Sequence, residues 1–456
     1  MDKVSQGLAN FVESSQWKHL PDSTIQNMKI VLLDSIGCAL AGITTDPGKM
    51  IIALDRRMGG PLESSIIGTG DKVSCVNAAF ANGQLINTID YDALMPGAHA
   101  PPYIIGPVLA MAESKKVSGK DLILAMAVGF EVGGRVSGAL SRGSTFAEPD
   151  KEKLIWADRW GHASNNFGAA AGVGKIIKLN QDQILNCLGL AGHLCQVQTW
   201  IRYTMAEHRS MAKYGMPGWQ NTGGVMAALL AEMGYIGDTT VFDDQEGFWK
   251  FVGYFEWRPE SILKDIGRDW ISRINYKPYP CCRMFQTELD CFIKIIEQNK
   301  LLPEDIDSVK IMGHPTLEAP AFTNRELNSI ADIQFGPAYI FAMAANRVTK
   351  GVEWQDLETA KSPAIMNFSK KVTYGSYPEY GKTQISKVEV KAKGRVFREE
   401  KPAADLHVLT TEELIQKYQH NASRILTQDK IENSVKLIMS LEKLENISEL
   451  ISEITL

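Results

Sequence analysis

From its first helix-like stretch to about residue 265 the chain keeps one texture: long runs of helical spacing, built from Gly, Ala and Ser and poor in charge. In "PDSTIQNMKIVLLDSIGCALAG" the apolar positions Ile25, Met28, Leu32 and Ile36 follow a helical period. Ser, Thr and Asp at its start are cap candidates, and Gly42 can end it. "VSGKDLILAMAVGFEVGGRVSGAL", "LNQDQILNCLGLAG" and "NTGGVMAALLAEMGYIG" repeat the style. A helix that is small and apolar on most faces has to be packed closely by neighbours. The expectation is a compact helical core, neither a coiled coil nor a short-period repeat.

The texture changes after Trp270. "SVKIM" (308–312) and "SKVEVKAKGRVF" (386–397) alternate apolar and polar residues, as half-buried antiparallel strands do. Helix-like stretches, "RMFQTELDCFIKIIEQNK" and "IQFGPAYIFAMAANRV", lie between them. From about 405 the chain returns to amphipathic helix in "TTEELIQKYQHNASRIL" and "DKIENSVKLIMSLEKL". The fold class expected is mostly α with a smaller α+β domain. Residues 1–265 and 405–456 form one helical domain, and 266–404 form an inserted α+β domain. A length of 456 residues suits two domains. A cleft between two domains is a usual place for a small-molecule site.

Composition narrows the partners. A net charge of −5, spread along the chain, argues against nucleic acid and gives no basic membrane patch. The N-terminus has no apolar core segment, so no targeting peptide is expected, and no run approaches the roughly 18 apolar residues of a membrane helix. Seven cysteines are few and odd in number. Cys38, Cys75, Cys187, Cys195 and Cys291 lie in apolar segments and read as buried thiols, which fits a reducing cytoplasm. Walker A, G-x-S-x-G and post-strand G-x-G-x-x-G sequences are absent, so nucleotide binding and serine hydrolysis have no support.

Four segments combine ionisable residues with Gly/Pro-rich loops. "NTIDYDALMPGAHAPPY" carries Asp90, Asp92 and His99, with Pro101–Pro102 opening a new helix. "DRWGHASNNFG" carries His162. "MAEHRSMAKYGMPGWQNTGG" carries His208, Arg209 and Lys213. "YKPYPCCRMFQ" sets Lys277 and Arg283 around Cys281 and Cys282. Each has a plain alternative: a histidine at a helix start is often only a hydrogen-bonding residue, Lys213 alone reads as a solvated lysine, and Asp90 and Asp92 can cap a turn. Adjacent cysteines make a poor zinc pair, and Asp90, Asp92 and His99 fit no tight ligand spacing. No metal is expected.

In this order the segments resemble the MmgE/PrpD family, from "LLDSIGCALAG" through "NAAFANGQLINTIDYD", "HAPPYIIGPVLAMAE", "GHASNNFGAAAGVGK" and "DQEGFWKFV" to "KPYPCC". The resemblance covers nearly the whole chain. The family includes 2-methylcitrate dehydratases, cis-aconitate decarboxylases and some epimerases of iminodicarboxylates. It implies a large helical domain with a smaller α+β lid, a homodimer, a small polycarboxylate substrate and no cofactor. Asp90 stands at the family's active-site aspartate, His99 in its H-x-P loop, His162 in its G-H loop, Lys213 in its K-x-x-x-G segment and Lys277 in its K-P-Y-P segment. The cysteine pair then reads as packing beside Lys277. Arg283, Gln286 and Tyr339 are the expected substrate-binding residues. The chain departs from the pattern at Gln286, where many relatives have histidine, and at Ala93, where an acidic residue is common.

Those residue types suit removal of a proton α to a carboxylate. Lysines pair with carboxylates and stabilise enolate-like charge, and a histidine near its ordinary pKa of about 6.5 moves the proton. The leading expectation is a cofactor-free lyase of the 2-methylcitrate dehydratase type. An epimerase or racemase, a decarboxylase of the cis-aconitate type and a non-enzymatic binding protein are the rivals.

Overall fold

In the computed structural model, which describes residues 3–95, 99–140, 143–243, 246–253, 256–270 and 274–456, the small-residue runs are helices. The helix Asp22–Gly42 is buried along nearly its whole length. Cys75–Thr88, Pro101–Ser114 and Gly119–Ala139 pack on it, and Asn165–Ile176, Gln181–His193 and Pro217–Glu232 pack on one another and on these three. Ser74 and Ser118 cap two of them by accepting from the amides of Asn77 and Asp121. Glycine lets the backbones touch: a Cβ on Gly168 would lie 2.6 Å from the carbonyl oxygen of Gly129. Gly119–Ala139 is in fact long and apolar enough to cross a bilayer, but 78% of its most apolar window is buried inside the protein. It is a core helix.

Two short ribbons interrupt this helical region. β1 (Ser64–Ser65) pairs with β2 (Lys72–Val73), and β3 (Ser144–Phe146) with β4 (Leu154–Trp156), both antiparallel. Strands of two or three residues carry no periodic signature, so a reading of this region as almost wholly helix misses them.

The later segment holds a four-stranded sheet in the order β6-β5-β7-β8. β5 (Ile306–Gly313) runs parallel to β6 (Val372–Ser376) and antiparallel to β7 (Ile385–Ala392), which pairs with β8 (Arg395–Pro402). The stretch 386–397 thus turns in its middle: Lys393 and Gly394 are both left-handed, with φ of 51° and 68°, as a tight hairpin requires. Ser386, Val388, Val390 and Ala392 bury one face of β7, and the helix Gln286–Gln298 packs on β7 and β8. The helix expected in "IQFGPAYIFAMAANRV" breaks at Gly336–Pro337 into Ile330–Gln334 and Pro337–Ala345.

Two large hydrophobic cores result. One draws on residues from Leu8 to Trp270 and again on Tyr418 to Ile454, because the helices Thr411–Ala422 and Gln428–Met439 lie against Asp22–Gly42. The other draws on Tyr279 to Ala392 and adds Tyr203 and Tyr214 from the helical region.

Candidate active site

At the boundary of these cores, segments far apart in sequence converge on one aspartate. Asp90 lies just beyond the helix Cys75–Thr88 with a left-handed backbone, φ 52°. That conformation costs a non-glycine residue about 1–2 kcal/mol and persists only where surroundings enforce it. Here they do. Asp90 Oδ2 accepts from Lys277 Nζ at 2.9 Å, and its carbonyl accepts from the same ammonium at 2.7 Å. Asp90 Oδ1 takes Lys213 Nζ at 3.2 Å and the Tyr214 hydroxyl at 3.2 Å. Lys213 also donates to the Asn87 carbonyl and is itself left-handed, φ 50°.

Asn87 carries the network onward. Its amide nitrogen donates to Asp92 Oδ1 at 3.0 Å and to the Tyr214 hydroxyl at 3.1 Å. Asp92 Oδ2 lies 3.3 Å from His99 Nδ1, which orients that imidazole. The His99 ring stacks on Tyr214 with centroids 4.9 Å apart. His162 stands edge-on to both, 5.5 Å from His99 and 5.2 Å from Tyr214. Trp160, 5.1 Å away, closes its other side. Neither ring nitrogen of His162 has a hydrogen-bond partner among the described residues, and nor does the Tyr103 hydroxyl, whose ring lies 5.9 Å from His162.

Burial and charge set the protonation states. Burial holds both imidazoles below the ordinary range, His162 at about 3, so both are neutral near pH 7. Burial opposes the charge of Asp90, but Lys277 and Lys213 outweigh it and hold the carboxyl well below its usual range. Burial also opposes the Lys277 ammonium; there Asp90 and Asp92 win and raise it. For Lys213 burial wins and lowers it. Lys277 is therefore the fixed positive charge, and Lys213 the lysine closer to giving up a proton. Lys417 is paired to Asp34 alongside, so this cluster sets three lysines, Lys213, Lys277 and Lys417, against three aspartates, Asp34, Asp90 and Asp92.

Asp90, Asp92 and His162 are closed off from solvent. A cleft between Met50, Gln84, Met216 and Gln334 reaches Asn87 and Lys213 from one side. A second, open cleft is lined by Arg202, Gln198 and Arg159, the last next in sequence to Trp160.

Other expected site residues have different surroundings. Gln286 uses its whole amide to tie the "YPCC" loop: Oε1 accepts from Tyr279 N at 3.2 Å, and Nε2 donates to Tyr279 O at 3.0 Å and Cys281 O at 3.1 Å. The Tyr339 hydroxyl donates to the Arg325 carbonyl. Arg283 is exposed and exerts its charge on His314 and Tyr380. His208 is exposed, 3.6 Å from Glu326. Arg209 is buried and binds Asp332 at 3.2 Å and the carbonyls of Asn324 at 3.1 Å and Phe335 at 3.2 Å. All seven cysteines are free; burial pushes Cys282 up to about 12 and Cys281 up as well, so neither is a thiolate. Among the described residues no group of three or more His, Cys, Asp or Glu side chains is disposed to hold a metal ion.

Sequence reasoning missed Tyr214, Tyr103, Asp34 and Lys417. Tyr214 adjoins Lys213 and was within reach of the motif. Lys417 sits in a charged amphipathic helix and looks like any surface lysine.

A helical protein with an inserted sheet and a buried Asp–Lys–His cluster is the class this geometry defines. Residues 6–259 match the MmgE/PrpD N-terminal domain and 279–443 the MmgE/PrpD C-terminal domain, and the chain belongs to the MmgE/PrpD family. It is 24% identical to a cis-aconitate decarboxylase of Homo sapiens, an alignment covering 99% of this chain and 94% of that one. It is also 24% identical to a cis-aconitate decarboxylase of Aspergillus terreus, over 98% of this chain and 95% of the other.

Proposed function

We propose that the protein is a lyase that decarboxylates a small unsaturated tricarboxylate of the cis-aconitate type. The observation that carries this is the buried, unpartnered imidazole of His162 beside two lysines gathered on one aspartate. Two relatives named for that reaction, each aligned over nearly the full length of both chains, favour decarboxylation over the other chemistries of such a site. They displace 2-methylcitrate dehydration as the first choice.

In this reading Lys277 and Lys213 receive substrate carboxylates while Asp90 keeps both ammonium groups in place. As the C–CO2 bond breaks, its electron pair passes into the adjoining C=C–carboxylate system. The enolate-like charge that forms is held by the ammonium groups. A proton from an imidazolium, His99 or His162, then forms a C–H bond, and carbon dioxide leaves. One C–C bond is broken, one C–H bond is made and one proton is consumed. General acid transfer of this kind typically contributes 10²–10⁴-fold.

A second reading is dehydration of a hydroxylated tricarboxylate of the 2-methylcitrate type, in which a neutral imidazole takes the α-proton and the same cations serve. Gln286, which cannot donate a proton as an imidazolium can, and Ala93 leave fewer acids for a departing hydroxyl. An epimerase would share only the proton abstraction. Proton NMR with a panel of cis-aconitate, 2-methylcitrate and aspartate-like acids separates these. Decarboxylation releases carbon dioxide and takes up a proton. Dehydration gives new ultraviolet absorbance without carbon dioxide. Epimerisation gives deuterium incorporation from D₂O with inversion. Failure to turn over any polycarboxylate defeats the reading.

The same reading makes 266–404 a lid over the site and the working form a cytoplasmic homodimer. Free thiols support a reducing compartment. Self-association is supported by exposed Met50, Leu54 and Met58 along one helix and Trp219, Met226 and Met233 along another, both packed on Cys75–Thr88.

A further inference from the structure

Behind the Asp90 cluster a second buried pair touches the backbone that carries it. Lys417, on the helix Thr411–Ala422, places its ammonium 2.7 Å from Asp34 Oδ1 on the helix Asp22–Gly42. The same ammonium donates to the carbonyl of Tyr91 at 2.8 Å and to that of Lys277 at 3.3 Å. The ammonium thus meets one carboxylate and two backbone carbonyls. It also lies 3.7 Å from the centre of the Tyr91 ring. Asp34 uses its other oxygen, Oδ2, to accept from the amide of Ala93 at 3.1 Å. Among the described residues neither forms a hydrogen bond or ion pair with His99, His162 or Lys213.

The two segments gripped this way are the ones that present Asp90 and Lys277. They run antiparallel beside each other, joined by Asn275 N to Leu94 O at 2.7 Å and Leu94 N to Asn275 O at 2.8 Å. The Tyr91 hydroxyl donates to Pro278 O at 3.3 Å. One side of Asp90 is therefore fixed at Tyr91 and Ala93, and its partner Lys277 at its own carbonyl, by a single ion pair. Asp90 is left-handed and needs such enforcement.

We propose that Lys417 and Asp34 are positioning residues of the active site: their ion pair clamps the 90–93 and 277 backbones so that Asp90 and Lys277 meet at bonding distance. The proposal rests on the reading of the Asp90–Lys–His cluster as catalytic. The clamp itself is testable without substrate. Arginine is a poor replacement for Lys417, because the ammonium is a compact point charge seated 3.7 Å from the Tyr91 ring centre, where the longer planar guanidinium has to displace its neighbours.

The test uses the full-length protein carrying Asp34→Asn with Lys417→Met, which removes both buried charges together, and Lys417→Arg alone, which keeps the charge of the pair. In protein labelled with ¹³Cε-lysine, the Lys277 titration is read by NMR against its neighbours Asp90, Asp92, Lys213, His99 and Cys282. The expected result for the double variant is a wild-type circular dichroism spectrum, a Lys277 pKa shifted downward as Asp90 withdraws, and kcat on the productive acid reduced about 10- to 100-fold, the scale of a 1 Å misplacement. Lys417→Arg should also lose at least tenfold in kcat. If the wild type turns over no polycarboxylate while the Lys277 titration still moves, the catalytic reading fails and the clamp stands. An unchanged Lys277 titration together with wild-type kcat and pH profile in the double variant overturns the clamp. If the double variant does not fold, wild-type kcat in Lys417→Arg overturns it.

Discussion

Lys277 and Asp90 lie 187 residues apart in sequence and touch twice, through the carboxylate at 2.9 Å and through the Asp90 carbonyl at 2.7 Å. Both are buried. Removing the anion alone leaves two ammonium groups, those of Lys277 and Lys213, without their counter-charge. Asp90→Asn is expected to destabilise the protein by about 3–5 kcal/mol, the usual cost of breaking a buried ion pair, and to abolish measurable turnover. Urea unfolding and a steady-state assay check this. A variant of wild-type stability would mean that the lysines find other anions.

The neutral imidazoles make a prediction about protons. Three buried lysines already balance three aspartates, so a polycarboxylate brings surplus negative charge beside His99 and His162. Their pKa values, lowered by burial, then rise. Binding should take up protons at pH 7–8. Calorimetry in buffers of different ionisation enthalpy measures the uptake; equal heats in all buffers would refute it.

His162 also makes the fold sensitive to acid. Its folded pKa of about 3 lies below the unfolded value of about 6.5. Between these values the unfolded chain binds the extra proton. The stabilisation is complete above pH 6.5 and declines as pH falls toward 3, at up to about 1.4 kcal/mol per pH unit. His162→Gln should flatten that part of the stability curve, as thermal melts from pH 4 to 7 will show.

Asp55 behaves in the opposite sense. It is fully buried, its carboxylate oxygens have no hydrogen-bond partner among the described residues, and burial raises its pKa to about 7. The folded protein keeps a proton there that the unfolded chain releases above pH 4, so this site loses stability as pH rises from 4 to 7. Asp55→Asn should raise the melting temperature at pH 8 and change it little at pH 5.

Cys281 and Cys282 are packing residues beside Lys277, and Cys281 Sγ accepts from Gln286 Nε2 at 3.2 Å. Cys281→Ser with Cys282→Ser should keep most activity, and dialysis against EDTA should leave it unchanged. A large loss reversed by added metal would contradict this.

Much of the helical region was legible because packing this close demands small residues at helical spacing, as Gly129 and Gly168 illustrate. The switch to alternating residues marked β5, β7 and β8. What stayed hidden depends on contacts across the fold. Lys213 read alone as a solvated lysine, and only the family pattern around "AKYGMPG" suggested otherwise; burial comes from Tyr214 and the segments around it. Lys417 is one of several charges in its helix, and nothing nearby in sequence foretells the carbonyls of Tyr91 and Lys277. Gln286 shows the converse: the motif suggested a substrate contact, and the structure shows its amide spent on its own loop.

The loop that carries Lys213 is fastened at its other end by Arg209, which is bound to Asp332, Asn324 and Phe335 of the second core. Tyr203 and Tyr214, on either side, pack in that same core. Asp90, by contrast, belongs to the helical body and is held there through Tyr91 and Lys417. Any parting of the two bodies wide enough to admit a ligand therefore draws the Lys213 ammonium off Asp90, and their return brings it back. Door and charge would then travel together: with the bodies joined both ammonium groups stand on Asp90, and a site opened this way would keep Lys277 there and lack Lys213 until it closed.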